Sequence, residues 1–451
     1  MKVHIIGIGP GREDYIIPVA RKEIENADSL VGAKRHLELF RNLGKEEFIV
    51  EGHLEGIIPY IKKYKNKKRI AVLVSGDPGM YSLLDKIAEI LKPQEYAVIP
   101  GISTVQLAFA KIGQSWYDAK VISLHGRKRD NLVKEVKACD KVFLFTGPDL
   151  PPDRIAAYLL KEGLENRRAV IFENLSYPDE RIVDTDLSRL SKMKNWGLCA
   201  MIIQRQKQKP SPRIQHKGKL YGIGIGPGDP KLLTLKAKEI LDKVEIIFVP
   251  KGSEDGASYA RSIVEAVTTS PKTFVELVFP MTKNEPILNR YWSNAANRIA
   301  KYIDKGKEVA FVTIGDPLIY STYIYLLKAL RRNFPKVDFE TVPGISAFNA
   351  AASKANFSLV EGNERLVVVP VRKDLRGLRE TIEEFDTVVL MKVGAKLGKI
   401  IALLEELGLT KQAVLVSRVG CRDEKVIHDL TGLKDKKIGY LSIILIKKGL
   451  K

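Results

Sequence analysis

Three glycine-bearing segments occur twice in this 451-residue chain, in the same order and about 215 to 245 residues apart. Gly7-Ile8-Gly9-Pro10-Gly11 is answered by Gly224-Ile225-Gly226-Pro227-Gly228, and Ser75-Gly76-Asp77-Pro78 by Ile314-Gly315-Asp316-Pro317. Pro100-Gly101-Ile102-Ser103 is answered by Pro343-Gly344-Ile345-Ser346. An ordered triplet at near-constant spacing demands two copies of one architecture, each with the same kind of ligand site. A hydrophobic fraction of 45% and a charged fraction of 28% give each copy the means to build a core.

Each landmark closes a strand-like run. Lys2 to Ile8 is short and apolar, Ile70 to Val74 leads into Gly76-Asp77-Pro78, and Ala97-Val98-Ile99 leads into Pro100-Gly101. Helical spacing follows near Ile16 to Asn26 and from about Ser82 to Leu91, with Ser29-Leu30-Val31 a further strand. Strands that stop at glycine turns and alternate with helices predict parallel βα units. Ligands of such sheets collect beyond the carboxyl ends of the strands, where all three landmarks fall. After residue 115 a second set of strands begins, at Lys120–Leu124, Lys141–Phe145, Ala169–Phe172 and Cys199–Ile203. The second half repeats it at Leu366–Val369, Thr387–Met391, Ala413–Val416 and Leu441–Ile446. The expected organisation is a module at 1–205 with lobes of about 1–115 and 116–205. A polar, basic, proline-containing linker at 206–218 precedes a second module at 219–451, with lobes of about 219–360 and 361–451. Hinges are placed near Gly113 to Asp118 and Ser358 to Gly362.

The formal charge is +20, roughly +8 in residues 1–210 and +12 in the remainder. A basic excess in both halves suits an anionic partner, whereas a lysine-rich solvated surface is the plain alternative. Lys62-Lys63-Tyr64-Lys65-Asn66-Lys67-Lys68-Arg69 is the one dense run, and it reads as a solvated helix end. Cys139, Cys199 and Cys421 are far apart, so neither a disulfide framework nor a metal site is expected, and a reducing cytoplasm is the expected compartment. No apolar run is long enough to span a bilayer, and the N-terminus reads as a first strand rather than a signal peptide.

The glycine loops do not meet the dinucleotide fingerprint. The sixth position is Arg12 in the first copy and Asp229 in the second, and Pro10 and Pro227 remove an N–H from the loop. Gly76, Gly101, Gly315 and Gly344 would let backbone approach a ligand closely. Ser103, Thr104 and Ser346 offer hydroxyls at helix starts, with simple capping as the competing role. Asp77 and Asp316 could meet a ligand hydroxyl or amine, or could cap their own turns.

The ordered triplet resembles the class III S-adenosylmethionine-dependent tetrapyrrole methylases, over both halves almost end to end. The first half is similar to the members that methylate carbon 5 of precorrin-6Y or cobalt-precorrin-7. Its matches are Val31-Gly32-Ala33-Lys34-Arg35-His36-Leu37, Ser75-Gly76-Asp77-Pro78, Ser123-Leu124-His125-Gly126-Arg127 and Glu173-Asn174-Leu175. The second half is similar to those that methylate carbon 20 of precorrin-2 or cobalt-factor II. Its matches are Phe248-Val249-Pro250-Lys251, Val278-Phe279-Pro280-Met281-Thr282, Gly315 to Ser321 and Val389-Leu390-Met391-Lys392-Val393-Gly394.

The resemblance implies an α/β fold: a tandem pair of two-lobed modules, each with a parallel-rich N-terminal lobe and a mixed-sheet C-terminal lobe. It implies S-adenosyl-L-methionine as co-substrate, folded between the lobes, with S-adenosyl-L-homocysteine as product. Carried over by position, the cofactor contacts are Pro10, Gly76, Asp77, Met80, Ser103 and Thr104 in the first module. In the second they are Pro227, Gly315, Asp316, Ile319, Ser346, Ala347 and Met391. Thr146-Gly147 stands in the first module where Met391 stands in the second, and Ile314 occupies a position that is often acidic in the family. Ala33-Lys34 and Pro250-Lys251 stand where some members carry an aspartate, so no catalytic aspartate is transferred. Arg35, His36, His125 and Arg127 in the first module, and Lys251 and Tyr320 in the second, are candidates for substrate carboxylate contacts or proton handling. The implied partner is an anionic, cobalt-bound tetrapyrrole, with no membrane and no nucleic acid, in a homodimer or with the two halves paired within one chain. The implied activity is a bifunctional C-methyltransferase of cobalamin biosynthesis. Two other readings fit the same features: an RNA methyltransferase of the same fold, or one degenerate module kept as a binding or scaffold unit.

Overall fold

A computed structural model of the chain describes residues 2–50, 56–124, 132–165, 167–205, 218–252, 258–280, 282, 284–371, 375–434, 436, 438–439 and 441–449. His125 and Arg127, and all of the expected linker except Gly218, lie outside the described residues.

Runs of buried apolar residues become strands, and these form four five-stranded sheets. The first sheet contains β1 to β5 (Val3–Gly7, Ser29–Gly32, Glu46–Ile49, Ile70–Val74, Tyr96–Ile99), all parallel, in the order β3-β2-β4-β1-β5. β4 (Ile-Ala-Val-Leu-Val) is buried at every position, as a parallel strand covered on both faces must be. The second sheet contains β6 to β10 (Lys120–Ser123, Lys141–Phe145, Arg167–Glu173, Arg181–Asp186, Cys199–Arg205), ordered β6-β7-β10-β8-β9. Only its β6–β7 pair is parallel.

The second half repeats both orders. β11 to β15 (Lys219–Gly224, Ile246–Lys251, Thr273–Val278, Glu308–Thr313, Asp338–Val342) form the parallel sheet β13-β12-β14-β11-β15. β16 to β20 (Leu366–Pro370, Thr387–Met391, Ala413–Ser417, Lys425–Ile427, Ser442–Lys447) form the mixed sheet β16-β17-β20-β18-β19. The dense basic run begins in the last turn of the helix Ile57–Tyr64 and continues to the start of β4, and much of it is paired. Lys65 reaches Glu95 at 2.6 Å, Lys68 reaches Glu46 at 2.5 Å and Arg69 reaches Asp28 at 2.7 Å.

The two halves share one apolar core, in which Ile102, Phe109 and Trp116 meet Ile319, Phe348 and Val360. The halves are also stitched through their backbones. Gly79 O accepts from Leu359 N and Val360 N at 3.0 Å, and Tyr81 N donates to Val360 O at 2.8 Å. The reciprocal bond, Trp116 N to Leu318 O, is 3.2 Å long. One expectation is corrected: the helix foreseen from Ser82 to Leu91 spans only Leu84–Ala88, giving way to turns ahead of Pro93. Residues 79–81, before it, are drawn out to pair with the other half.

β4, β1 and β5 are neighbours, so the three landmark turns converge at one end of the first sheet, and those after β14, β11 and β15 converge on the third. They pack backbone on backbone. A Cβ on Gly101 would lie 2.1 Å from Gly76 O, and one on Gly344 would lie 2.5 Å from Gly315 O. Gly101→Ala is expected to destabilise the chain by about 3 kcal/mol through overpacking against backbone. Gly252→Ala, with open space around it, should change stability by less than about 0.5 kcal/mol. Chemical denaturation of the two variants checks the contrast.

Candidate active sites at the crossed strand-end turns

The first turn is locked to the second by a two-residue bridge. Gly76 N donates to Gly9 O at 2.8 Å, Gly9 N returns to Gly76 O at 3.3 Å, and Gly315 N donates to Gly226 O at 2.8 Å. Gly76 and Gly315 adopt left-handed φ values of 70° and 74°, which a side chain would strain. The face where their Cβ would stand looks onto the start of the next helix. Ser103 Cα and Thr104 N lie 3.6 and 3.9 Å away in the first module, and Ala347 N lies 3.8 Å away in the second. Each module therefore holds a small cradle made of a glycine turn and a helix N-terminus, with buried Pro10 or Pro227 beside it.

The serine hydroxyls of those cradles are committed. Ser103 Oγ accepts from Gln106 N at 3.3 Å while Gln106 Oε1 accepts from Ser103 N at 3.0 Å, a complete capping box. Ser346 Oγ caps Asn349 N at 3.3 Å. Met391 ends β17 and packs, with Ala347, on the apolar cluster that contains Ile319. The side chains of Met80 and Ile319 together line a cavity of about 250 Å³ at the junction of the halves.

Asp77 and Asp316 turn away from the cradles into the junction. Asp316 Oδ1 accepts from Leu318 N at 2.9 Å and Trp116 Nε1 at 3.2 Å; its Oδ2 accepts from Gln106 Nε2 at 3.1 Å and Gly344 N at 3.4 Å. Asp77 Oδ1 accepts from Gly79 N at 2.9 Å and its Oδ2 from Gly101 N at 3.1 Å. The Asn349 amide stands opposite, near enough to favour the Asp77 carboxylate but looser than the Gln106 bond. Burial pushes both acids up to about 6, against the pull of these donors. Both carboxylates thus cap their own turns, and Asp316 also accepts from two donors that the first half supplies, Trp116 and Gln106.

A fourth repeated element faces the glycine loops from the second lobe of each module, and the sequence reading missed it. After β8, Asn174 and Ser176 adopt φ of 48° and 74°; after β18, Arg418 and Gly420 adopt 53° and 79°. Glu180 accepts from Ser176 N at 2.8 Å and pairs with Lys111 at 2.6 Å. Glu424 accepts from Gly420 N at 2.7 Å and pairs with Lys354 at 3.2 Å. Each ion pair ties the end of a landmark helix (Thr104–Ile112 or Ala347–Lys354) to the opposite lobe. The signal was present as Asp179-Glu180-Arg181 and Asp423-Glu424-Lys425, about 240 residues apart like the other landmarks.

Arg35 and His36 stand on a short helix, Lys34–Leu37, and His36 lines a cleft of about 610 Å³ with Ala33, Tyr81, Ser82 and Lys86. Burial, and then the adjacent Arg35 guanidinium, push the His36 imidazole down to about 4, so it is neutral at physiological pH. Lys251 pairs with Glu276 at 2.9 Å and shares a cleft of about 650 Å³ with Arg261 and Arg298. Tyr320 sits at φ 49° and donates from its hydroxyl to Val368 O at 2.7 Å. Its counterpart Tyr81, at φ 52° with its hydroxyl on Val121 O at 3.2 Å, went unnoticed in the sequence. Strained tyrosines at equal positions, each bridging its two lobes, are over-determined by their surroundings.

A parallel sheet followed by a mixed sheet in each half, with glycine turns crossing at the strand ends, defines a pair of two-lobed α/β modules. The family model for Tetrapyrrole (Corrin/Porphyrin) Methylases matches residues 2–191 and 219–433, and the chain belongs to that family. A protein of Methanocaldococcus jannaschii named "Probable cobalt-precorrin-2 C(20)-methyltransferase" is 40% identical over 237 residues, covering 51% of this chain and 96% of the relative. Another from the same organism, "Probable cobalt-precorrin-7 C(5)-methyltransferase", is 37% identical over 186 residues, covering 40% and 87%. "Cobalamin biosynthesis protein CobIJ" of Mycobacterium bovis is 30% identical over 241 residues, covering 52% of this chain and 46% of that protein.

Gln106→Ala would leave the Asp316 carboxylate short of one cross-module donor. The expected loss is about 1–3 kcal/mol where Asp316 is ionised. Because its pKa is raised to about 6, the acid is largely protonated at about pH 5 and the cost is smaller there. Denaturation of wild type and variant at about pH 5 and about pH 8 should show the larger difference at the higher pH.

Proposed function

We propose that the chain is a bifunctional S-adenosylmethionine-dependent C-methyltransferase of corrin-ring biosynthesis. The first module methylates carbon 5 of cobalt-precorrin-7 or precorrin-6Y, and the second methylates carbon 20 of cobalt-factor II or precorrin-2. The observation that carries the reading is the occurrence of two equivalent glycine cradles in one chain whose halves both match the family. The assignment of each half rests on its own motifs. It is supported by the lengths of the two matches, 186 residues against a first family match at 2–191 and 237 residues against a second half that runs from 219 to 451.

The cradles fit such a co-substrate. The missing Cβ of Gly76 and Gly315 leaves room beside free-facing helix starts, and the second-lobe turns cover the opposite side. When bound, the co-substrate supplies a methyl group already activated on a sulfonium. The chain's own work is alignment and exclusion of water. Pro10, Gly76, Ser103 and Thr104 hold one cradle; Pro227, Gly315, Ser346, Ala347 and Met391 hold the other. Asp77 and Asp316 act by fixing the turns, and Met80 and Ile319 by packing behind them. The Lys111–Glu180 and Lys354–Glu424 pairs hold the two lobes of each module at fixed separation. Positioning of this kind is worth several kcal/mol of barrier.

The substrate side is basic. Lys86 lines the first cleft, and Lys251, Arg261 and Arg298 the second, which suits a macrocycle bearing many carboxylates. Neutral His36 lines the first cleft with its Nε2 accepting from Arg35 Nε at 3.3 Å. The partners proposed are a cobalt-bound tetrapyrrole and no nucleic acid, with the two halves serving as each other's subunit. Activity is therefore to be assayed on the whole chain, since separation would expose the shared core.

Gly315→Val should abolish methylation of cobalt-factor II, by about 100-fold or more, while methylation of cobalt-precorrin-7 persists. Gly76→Val should do the reverse. Mass gain of each product in the full-length variants reads the result, and equal loss of both activities, or of neither, overturns the assignment. Calorimetry should return two equivalents of S-adenosylhomocysteine per wild-type chain, and tetrapyrrole affinity should fall as salt rises.

A further inference from the structure

The two halves break their symmetry in the side chains beside the second cradle. The segment that joins the first half to the second, through Trp116 N and Leu318 O, runs directly into Tyr117. The Tyr117 ring lies 5.4 Å from that of Tyr320. Tyr320 is the left-handed residue that follows the Gly315-Asp316-Pro317 turn and reaches the second lobe at Val368 O. An aromatic side chain of one half is therefore laid against the lobe-bridging residue of the other. Tyr117 nevertheless keeps 44% of its surface exposed.

Further rings continue from there. Trp292 stands in the N-terminal part of the helix Glu285–Ile303 and Tyr325 near the start of the helix Tyr323–Asn333. Both helices begin on the side where the strands before them end. The two rings stack at 4.5 Å and 6°, yet Tyr325 is still 44% exposed. Burial first, then Asp118 and Tyr325, push the Tyr117 hydroxyl up, so the two tyrosines lie within electrostatic reach of each other. Lys328 and Arg332 fall on the same helix face as Tyr325 by their spacing. The Lys328 ammonium lies 5.7 Å from the centre of the Tyr325 ring, and Arg332 Nη2 donates to Ser293 Oγ at 3.4 Å beside Trp292. Aromatic rings with cations at their margin thus extend outward from Tyr320.

The equivalent positions of the first half are not aromatic. Val360 stands where Tyr117 does, one residue past the Leu359 N bond to Gly79 O that answers Trp116 N on Leu318 O. Lys86 stands where Tyr325 does, at the same interval after Tyr81 as Tyr325 after Tyr320. Tyr81 meets Phe145 of its own module instead, with ring centres 5.8 Å apart. The same fold is therefore built once without Tyr117 and Tyr325, so the packing of the junction does not require them.

We propose that Tyr117, supplied in trans by the first half, and Tyr325 form an aromatic face of the second module's substrate site. The tetrapyrrole ring lies on that face, with Lys328 and Arg332 beside its carboxylates. The inference rests on the assignment of the second module to a tetrapyrrole and names the residues that would grip it. A conjugated macrocycle with acidic side chains presents a broad π face and a charged rim. Exposed aromatic rings match the face through dispersion and apolar burial, and cations at their margin match the rim. Where the first module carries Lys86 and Val360, the second carries Tyr325 and Tyr117, so the second site holds its substrate more by ring and less by charge at this edge.

The test follows methylation of cobalt-factor II by the full chain over a range of substrate concentrations. Methylation of cobalt-precorrin-7 by the same preparations reports that the halves are folded and seated. Tyr117→Ala and Tyr325→Ala should each raise KM for cobalt-factor II by about tenfold, the loss of one aromatic contact, with kcat within about twofold of wild type. Tyr117→Phe, which keeps the ring, should bring KM back to within about twofold of wild type. The rise caused by Tyr117→Ala should persist at high salt, whereas that caused by Lys328→Ala should fade. A merely structural Tyr117 would act through Tyr320 and lower kcat with KM unchanged, and that result overturns the inference. So does an unchanged KM in both alanine variants. If Tyr117→Ala also loses the first module's activity, Tyr325→Ala, which lies outside the joined segment, decides. Wild-type chain that leaves cobalt-factor II unmethylated overturns the functional assignment instead, so the two failures are told apart.

Discussion

Everything in this molecule depends on three turns crossing at van der Waals limit without side chains. Gly7 and Gly101 in one half, and Gly224 and Gly344 in the other, bring backbone to within reach of backbone where any Cβ would collide, and Gly76 and Gly315 turn between them at a left-handed φ. That crossing draws three neighbouring strand ends together and leaves an opening in front of a helix N-terminus. It also aims the aspartate of the second turn backward, where the next turn's N–H can reach it. The ligand cradle and the junction of the halves are therefore two faces of one knot of backbone.

The halves use that knot reciprocally. Each aspartate is held by donors of its own module and faced by an amide from the other, Gln106 on Asp316 and Asn349 on Asp77. Each amide belongs to the helix whose first turn shapes its own module's cradle. Burial makes these acids costly, and the donors offset the cost only when both halves are seated. The arrangement couples the geometry of either site to the seating of the other.

Much of this was legible in the sequence because the constraint is local. Glycine at a strand end followed by a capping serine is a short-range pattern; its repetition pointed to two modules of parallel βα units, and the resemblance it carries named the cofactor residues to consider. What escaped was set by contacts distant in the chain. No local propensity foretells that Tyr81 pairs with Val360 of the other half. The edge strands Glu46–Ile49 and Arg181–Asp186 carry too many polar residues to announce themselves. That the aspartates meet the junction as well as their own turns follows from the seating of the halves, which no local pattern carries. Tyr81 and the Asp-Glu-Arg/Lys turn were visible by register and were simply not sought at the repeat interval.

The Gln106–Asp316 bond has a bearing on heredity. A codon in the first half specifies an amide whose work is done in the second, so neither half is free to drift by itself. Two catalytic units joined in this way are expected to accumulate changes in matched pairs across the gene, and a lineage that later separated them would first have to replace each borrowed donor.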